Sequence, residues 1–508
     1  MSGETRTRMR SNGKLILSIA VFALCIAPTI ISYKSYKFTW DDSDYLWRSI
    51  AVSKAFWSGN IHEVRSTMVH FRPPVMTLLG LPWGPLRSWD AAGKCFVTLT
   101  GFTAFFAACS LFLLLRVGLK PLYLVIASVC AFVALGPYPE SAEAHHWSTG
   151  FMADSLFAWI AFAATLLIPY EVTYITSSTT DSLVRGVLWA VVFSVGAITK
   201  VSFFYFIVAV IPVLFVVRMR HSGFWSALPS LLSLSVCALP VVVYWLRYGR
   251  PILNYGRAAS FGSTAQLYLV PLSQFISDTL RESPGVLLSG IFAIVGATYL
   301  IVKRRDLTWG TNLLPLLIML GYCTISLASA NREIRFLIPG IIALPFFIGL
   351  LISDKTGMPS LRQALVAAIL VFICFVVAGM PMMHRADRGS IHFSEVVLAQ
   401  AVESKANHIV LATDSSSLNS DLMRLAAEVS SKPLVESNSL AWRAALGIPI
   451  EDDFRTVGQS DLVVFQNDEM LNSPITNVRV SEYEQYTRQH FGDVPVKIVD
   501  GMRIYRKL

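Results

Sequence analysis

Long apolar runs separated by short polar connections fill the first three quarters of the chain. About 20 apolar residues cross a bilayer as a helix. Eleven stretches meet that length, near 15–33, 92–115, 121–137, 151–169, 185–199, 201–217, 224–246, 284–302, 311–329, 336–353 and 363–381. The run 185–199 is the weakest, because it is short and Lys200 interrupts it. From residue 382 the pattern changes. His408–Thr413 reads as a buried strand, Asp414–Ser417 as a turn, and Asn419 or Ser420 can cap a helix reaching about Val429. Short strands are expected at 434–435, 462–465 and 496–499, and 502–505 closes the chain after Gly501, in the manner of a hairpin. Strands alternating with helices favour a largely parallel sheet. The expected fold is a polytopic α-helical membrane protein of about eleven transmembrane helices over residues 1–381. A soluble α/β domain follows over 382–508. No GxGxxG follows its first strand, so nucleotide binding is not expected there, and a scaffold or acceptor-docking role is.

Composition agrees with this division. Of 508 residues 54% are hydrophobic and only 15% charged, with a mean hydropathy of +0.55. An ordinary soluble enzyme is roughly a quarter charged. The net charge of +9 raises the question of nucleic acid. Its distribution answers it. Residues 382–508 hold 13 Lys/Arg against 17 Asp/Glu, which leaves 29 against 16 in the first 381. The basic excess lies in short membrane loops, so no nucleic-acid partner is expected. Arg6, Arg8, Arg10, Lys14, Arg116, Lys120, Arg218, Arg220, Lys303, Arg304, Arg305, Lys355 and Arg362 fall on one side. That excess marks the cytoplasmic side. The N-terminus is then cytoplasmic, and after eleven spans the C-terminal domain is periplasmic or extracellular. The first run is long and lacks a clear small-x-small cleavage site, so it is expected to stay as a helix. All seven cysteines fall in expected spans, which suggests buried apolar residues rather than disulfides.

Two external segments are long enough to shape a site, 34–91 and 247–283. The first carries Asp41, Asp42 and Asp44, followed by Tyr45. Three carboxylates in four positions raise at least one pKa, which suits a general base, and they permit a divalent cation without requiring one. Helix capping by Asp41 or Asp42 accounts for only one of them. The helix would run from about Ser43 to Ser58, with Leu46, Ile50 and Trp57 on one face. His70 and Arg72-Pro73-Pro74 come next, and adjacent prolines fix an extended turn. Arg72 can face a phosphate or the lipid headgroups. Asp154 opens the fourth span, and an acid just inside an apolar helix usually faces protein or a watery cavity. Glu140, Glu143, His145 and His146 read as a polar loop rather than a metal site. Lys200 either snorkels to the headgroups or holds an anion. Arg332 and Arg335, three apart at an external turn, run against the charge asymmetry and point to an anionic partner, which Glu333 could partly offset.

These residues together resemble the GT-C glycosyltransferases, in particular the protein mannosyltransferase and lipid A aminoarabinose transferase branch. The likeness rests on Trp40-Asp41-Asp42 with Tyr45 after the first span, Arg72-Pro73-Pro74, Asp154 at the fourth, Thr199-Lys200, and Asn331 to Pro339. It covers roughly residues 15–353. Two positions depart from the pattern: the acidic pair is Asp-Asp rather than the commoner Asp-Glu, and Asn331 stands where the relatives carry histidine. The resemblance implies an inverting hexosyl- or pentosyltransferase with a polyprenyl-phosphate sugar as donor. The acceptor would be lipid A, another glycan, a teichoic-type polymer or a protein. Asp42 is the first choice as base and Asp41 the second, with Asp154 orienting acceptor or base. Lys200, Arg335, Arg332 and Arg72 would hold the donor phosphate. A bacterial inner membrane is the expected location. The competing reading is a transporter or flippase of a lipid-linked sugar. That class more often shows an internal repeat and charges near the bilayer midplane.

Overall fold

The computed structural model describes residues 40–68, 72–86, 90–119, 153–174, 178–261, 271–282, 313–329, 334–352, 389–415, 418–430, 436–441, 447–466 and 479–507, with Leu124, Ala127 and Arg443. The expected spans at 15–33, 284–302 and 363–381, and nearly all of 121–137, lie outside these residues.

Helix α1 spans Trp40–Trp57. Asp41 and Asp42 occupy its first turn, where negative charge offsets the helix dipole, and Lys54 its last. It starts three residues earlier than expected, so the aspartates sit inside the helix rather than capping it. Leu46 and Ile50 are fully buried. Trp57 lies on the expected face but overhangs the packed region, half exposed, its Nε1 donating to the Leu81 carbonyl at 2.9 Å. Helix α2, Ile61–Met68, buries nothing. The chain then returns through Pro73 and Pro74 and a single helical turn, Val75–Leu78, to press Gly80 on α1. A Cβ on Gly80 would stand 2.6 Å from the Ser49 carbonyl oxygen, so only glycine permits this approach.

The apolar helices follow: α3 Asp90–Arg116, α4 Ala153–Tyr174, α5 Thr179–Thr199, α6 Phe204–Ser222 and α7 Phe224–Phe261. Each contains a stretch long and apolar enough to cross a membrane. After the short amphipathic α8, Leu272–Glu282, come two shorter apolar helices, α9 Leu313–Ala328 and α10 Ile338–Ile352. Helix α4 is hydrophobic all round and accordingly buried, with α3, α5, α6, α9 and α10 packed about it. The run 185–199 proves longer than its apolar stretch, because polar residues from Thr179 also join the helix. Likewise α7 continues beyond 246, so part of segment 247–283 is helix rather than loop. Hydropathy marks only the apolar part of a helix, and here the polar ends remain helical.

Helices α4, α5 and α6 meet at one end through a buried charge network. Arg218 is completely buried, paired closely with Glu171, 3.1 Å from Asp181, and donating to Ser182 Oγ at 2.6 Å. Arg185 reaches Glu171 at 3.4 Å and Asp181 at 3.2 Å. Arg218 is thus a neutralised interior group, not a solvated loop cation.

The tail forms three layers. Helix α11, Gly389–Ser404, precedes strand β1, His408–Leu411. Helix α12, Ser420–Ser430, is capped by Asn419, whose Oδ1 accepts from the backbone N–H groups of Asp421 and Leu422. Then come β2 Glu436–Ser439, α13 Ile450–Gln459, β3 Leu462–Phe465, α14 Val480–Phe491, β4 Lys497–Val499 and β5 Met502–Arg506. The sheet order is β2-β1-β3-β5-β4. The first three strands are parallel, and the β4–β5 hairpin adds antiparallel to β3. Ile409 and Leu411 face α11 and α12, while Val410 faces α13 and α14. Both faces are covered, which is why these strands read as continuous apolar runs.

Helix α12 has a second partner. Its Leu425 and Val429 belong to the hydrophobic core that contains Leu46 and Ile50 of α1. Lys54 Nζ donates to Glu428 twice, to Oε2 at 2.6 Å and to the carbonyl at 2.8 Å. The Trp47 ring takes Arg48 at 4.4 Å and Arg424 at 5.4 Å.

Candidate active site

Asp154 stands in the first turn of α4, Lys200 directly after α5, and Arg335 in the 3-10 turn that leads into α10. Consecutive antiparallel helices bring these three positions to the same end of the bundle. The Glu171–Arg218 network lies at the opposite end. Helix α1 and the Pro-Pro turn add Asp41, Asp42, Asp44, Tyr45 and Arg72 at the first end.

The contacts are ionic and specific. Asp41 accepts from Arg72 Nη2 at 2.6 Å through Oδ1 and from Arg335 Nη1 at 2.8 Å through Oδ2. Residues 294 apart in sequence therefore share one carboxylate. Asp44 lies 2.7 Å from Arg48 Nε and 3.2 Å from Arg72 Nε. Asp154 and Lys200 form a close ion pair. The ammonium also lies over the rings of Phe157, at 5.4 Å, and Phe336, at 4.9 Å. Lys200 thus turns to a carboxylate and two aromatic faces rather than snorkelling. Asp42 is fully buried, and its Oδ1 accepts from the Ser43 N–H at 3.0 Å. Tyr45 lies beneath Arg72, with the guanidinium 4.8 Å from its ring centre.

Burial works to raise the Asp41 carboxyl, but the adjacent guanidinium groups of Arg72 and then Arg335 outweigh it and hold Asp41 well below the usual carboxylate range. Burial pushes the Tyr45 hydroxyl up to about 12. Tyr45 therefore remains a neutral donor at any physiological pH.

The contacts above bring Asp41, Asp44, Tyr45, Asp154, Arg72, Lys200 and Arg335 to one end of the bundle, while Asp42 is buried beside Ser43. His70 and Arg332 lie outside the described residues. The three aspartates of α1 do not assemble as a metal group. Among the described residues no cluster of three or more His, Cys, Asp or Glu could hold an ion. The reason is visible in the pairing: Asp41 and Asp44 are taken up by arginines. Several neighbours escape sequence reading. Arg48 looks like any helix-surface arginine, and its i, i+4 spacing from Asp44 is the only signal. Phe336, which lies beneath both Lys200 and Arg335, reads as an apolar span residue. Asp421 and Arg424 reach this region from the tail, and no local pattern could connect them to it.

No protein-family model matches the sequence, and no curated protein sequence matches it. Solved structures do. The chain superposes on ArnT from Cupriavidus metallidurans bound to undecaprenyl phosphate with a TM-score of 0.56 at 11% identity, covering 98% of each chain. The apo state of the same protein gives a TM-score of 0.52, again at 11% identity and 98% of each chain. The likeness extends over the tail as well as the membrane helices. At this identity the likeness shows a shared fold.

Proposed function

We propose that this chain is a membrane glycosyltransferase that moves a sugar from a polyprenyl-phosphate donor to an acceptor hydroxyl at the external, periplasmic face. One observation carries the reading. Arg72, Lys200 and Arg335 gather at one end of the bundle, each already engaged by a carboxylate. Cations so arranged suit an anion that arrives and leaves, since the carboxylates keep the site neutral between turnovers. The fold is shared with a protein solved with undecaprenyl phosphate, whose ligand joins a membrane-soluble tail to a phosphate.

The chemistry follows from the charges. The acceptor oxygen attacks the anomeric carbon from the side opposite the phosphate, and the configuration inverts. The bond from that carbon to the phosphate oxygen breaks, and the polyprenyl phosphate leaves with one more negative charge. Arg72, Lys200 and Arg335 stabilise that developing charge. The hydroxyl proton passes to an aspartate. Asp42 is our first choice in the resting enzyme, because Asp41 in its double clamp is a weak base. Asp41 becomes a stronger one only when the phosphate draws Arg72 and Arg335 away, which would make donor binding the obligatory first step. Asp154, freed from Lys200 in the same way, orients the acceptor.

The test uses purified protein. Mass spectrometry of copurifying lipid should find a polyprenyl phosphate or its sugar conjugate, and Lys200→Ala should lose it. Asp42→Asn should retain the lipid and lose transfer activity in proteoliposomes charged with the identified conjugate. Full activity in both Asp42→Asn and Asp41→Asn would eliminate the aspartate base. Absence of any polyprenyl phosphate or its sugar conjugate would sink the donor class.

A further inference from the structure

The tail domain does more than decorate the fold. Its helix α12 runs beside α1 in the same direction and meets it at three heights. Nearest the start, Asp421 comes within electrostatic reach of Asp44, Arg48 and Arg72. In the middle, Arg424 covers the face of Trp47 at 5.4 Å. At the far end, Glu428 receives Lys54 Nζ at both its carboxylate and its carbonyl, at 2.6 and 2.8 Å. Leu425 and Val429 fill the intervals from the same face of α12, at the three- and four-residue spacing of a packed helix. From Asp44 to Lys54 a helix advances about 15 Å. Contacts at Trp47 and Lys54, with Leu425 and Val429 packed against the same helix, determine both the position of α1 along its axis and its rotation. Asp41 and Asp42 lie within two turns of the first of them.

We propose that α12 is the positioning element for the acidic helix: Glu428 and Arg424, by holding Lys54 and Trp47, set the placement of α1, so the site is competent only with the tail docked. These are positioning residues, since neither touches Asp41 or Asp42 in the described structure. The proposal rests on the reading of the site as a lipid-phosphate enzyme only for its catalytic consequence. An exposed ion pair contributes little. This one is different because Glu428 is largely enclosed and is bonded through main chain and side chain at once.

Hydrogen exchange over residues 40–57, with undecaprenyl phosphate as the binding probe, separates the two. In full-length protein, Glu428→Gln should speed exchange in 40–57 by about tenfold or more, leave the global unfolding midpoint in place, and weaken undecaprenyl phosphate binding. A misplacement of about 1 Å can cost on the order of a hundredfold in rate. The reciprocal pair Lys54→Glu with Glu428→Lys remakes the side-chain ion pair but not the bond to the carbonyl of residue 428, so it should restore part of both protection and binding, which mere loss of packing would not allow. Arg424→Gln provides an independent reading at the Trp47 contact, and serves in place of Glu428→Gln if that variant does not fold. Unchanged exchange in both single variants overturns the proposal, as does a reciprocal pair that rescues nothing. If the wild type fails to bind undecaprenyl phosphate, the donor assignment fails, while the exchange data still decide the positioning role.

Discussion

Glu171 and Arg218 are fully buried at the end of the bundle remote from the candidate site. A charge in such a place is stable only while its partner remains. Removing one member of a buried pair commonly costs about 3–5 kcal/mol, because the survivor keeps its desolvation penalty. Glu171→Gln should therefore lower the unfolding midpoint in detergent markedly, and Glu171→Gln combined with Arg218→Met should recover part of the loss. Equal midpoints for wild type and Glu171→Gln would show that the network does not hold the helices. Asp41 and Asp154 are also paired, but with cations that a ligand could compete for. The sequence already pointed to these two acids, and to Lys200, Arg72 and Arg335, because a charge beside an apolar span is costly and stands out. Arg48, Arg424 and Asp421 could not be found that way, since they belong to helices where charge is ordinary.

At the scale of elements, α5 and α7 approach each other closely. A Cβ on Gly186 would lie 2.2 Å from the Ser230 carbonyl oxygen and 2.8 Å from Ser233 Cβ, and Ser233 Oγ donates to the Leu183 carbonyl at 2.9 Å. Close backbone approach at small residues is how helices associate in lipid. Gly186→Ala must push α7 away and should cost about 1–3 kcal/mol of stability, as overpacking does. Gly101→Ala on α3 provides the contrast. A Cβ there meets nothing within 4 Å, so that change should be neutral or mildly stabilising through helix propensity. If the two variants unfolded alike, the packing account of Gly186 would be wrong. Helix existence was legible from apolar runs, and β1, β3 and the terminal hairpin from strand runs and turn residues. Helix ends were less so: α5 and α7 extend into polar sequence that hydropathy assigns to loops. The order of the strands was beyond reach, because β3 pairs with both β1 and β5 through contacts that no local pattern encodes.

For the molecule as a whole, the join between its two parts is the sensitive place. At that join, burial and then the nearby Asp44 carboxylate push the Asp421 carboxyl up to about 7. The charged groups that act on it are Asp44, Arg48 and Arg72 from the membrane part and Arg424 on its own helix. A carboxyl raised on docking binds its proton more tightly in the docked state. Docking is then favoured at low pH, fully below the ordinary carboxylate pKa of about 3.9, and weakens as pH rises through about 7. Protection of residues 40–57 should accordingly fall between pH 5.5 and 8, and Asp421→Asn should flatten that dependence. A profile identical in wild type and Asp421→Asn would assign the effect elsewhere. The same join has a consequence in time. Lys54 and Glu428 are 374 residues apart. At common synthesis rates of about 5–20 residues per second, the acidic helix waits roughly 20–75 seconds for the residue that holds it. Its three aspartates have long been translated before their site can be complete. A chain cut short anywhere before α12 would thus place its membrane helices and still lack the partner of α1, so that the last quarter of the protein acts as a check on the first.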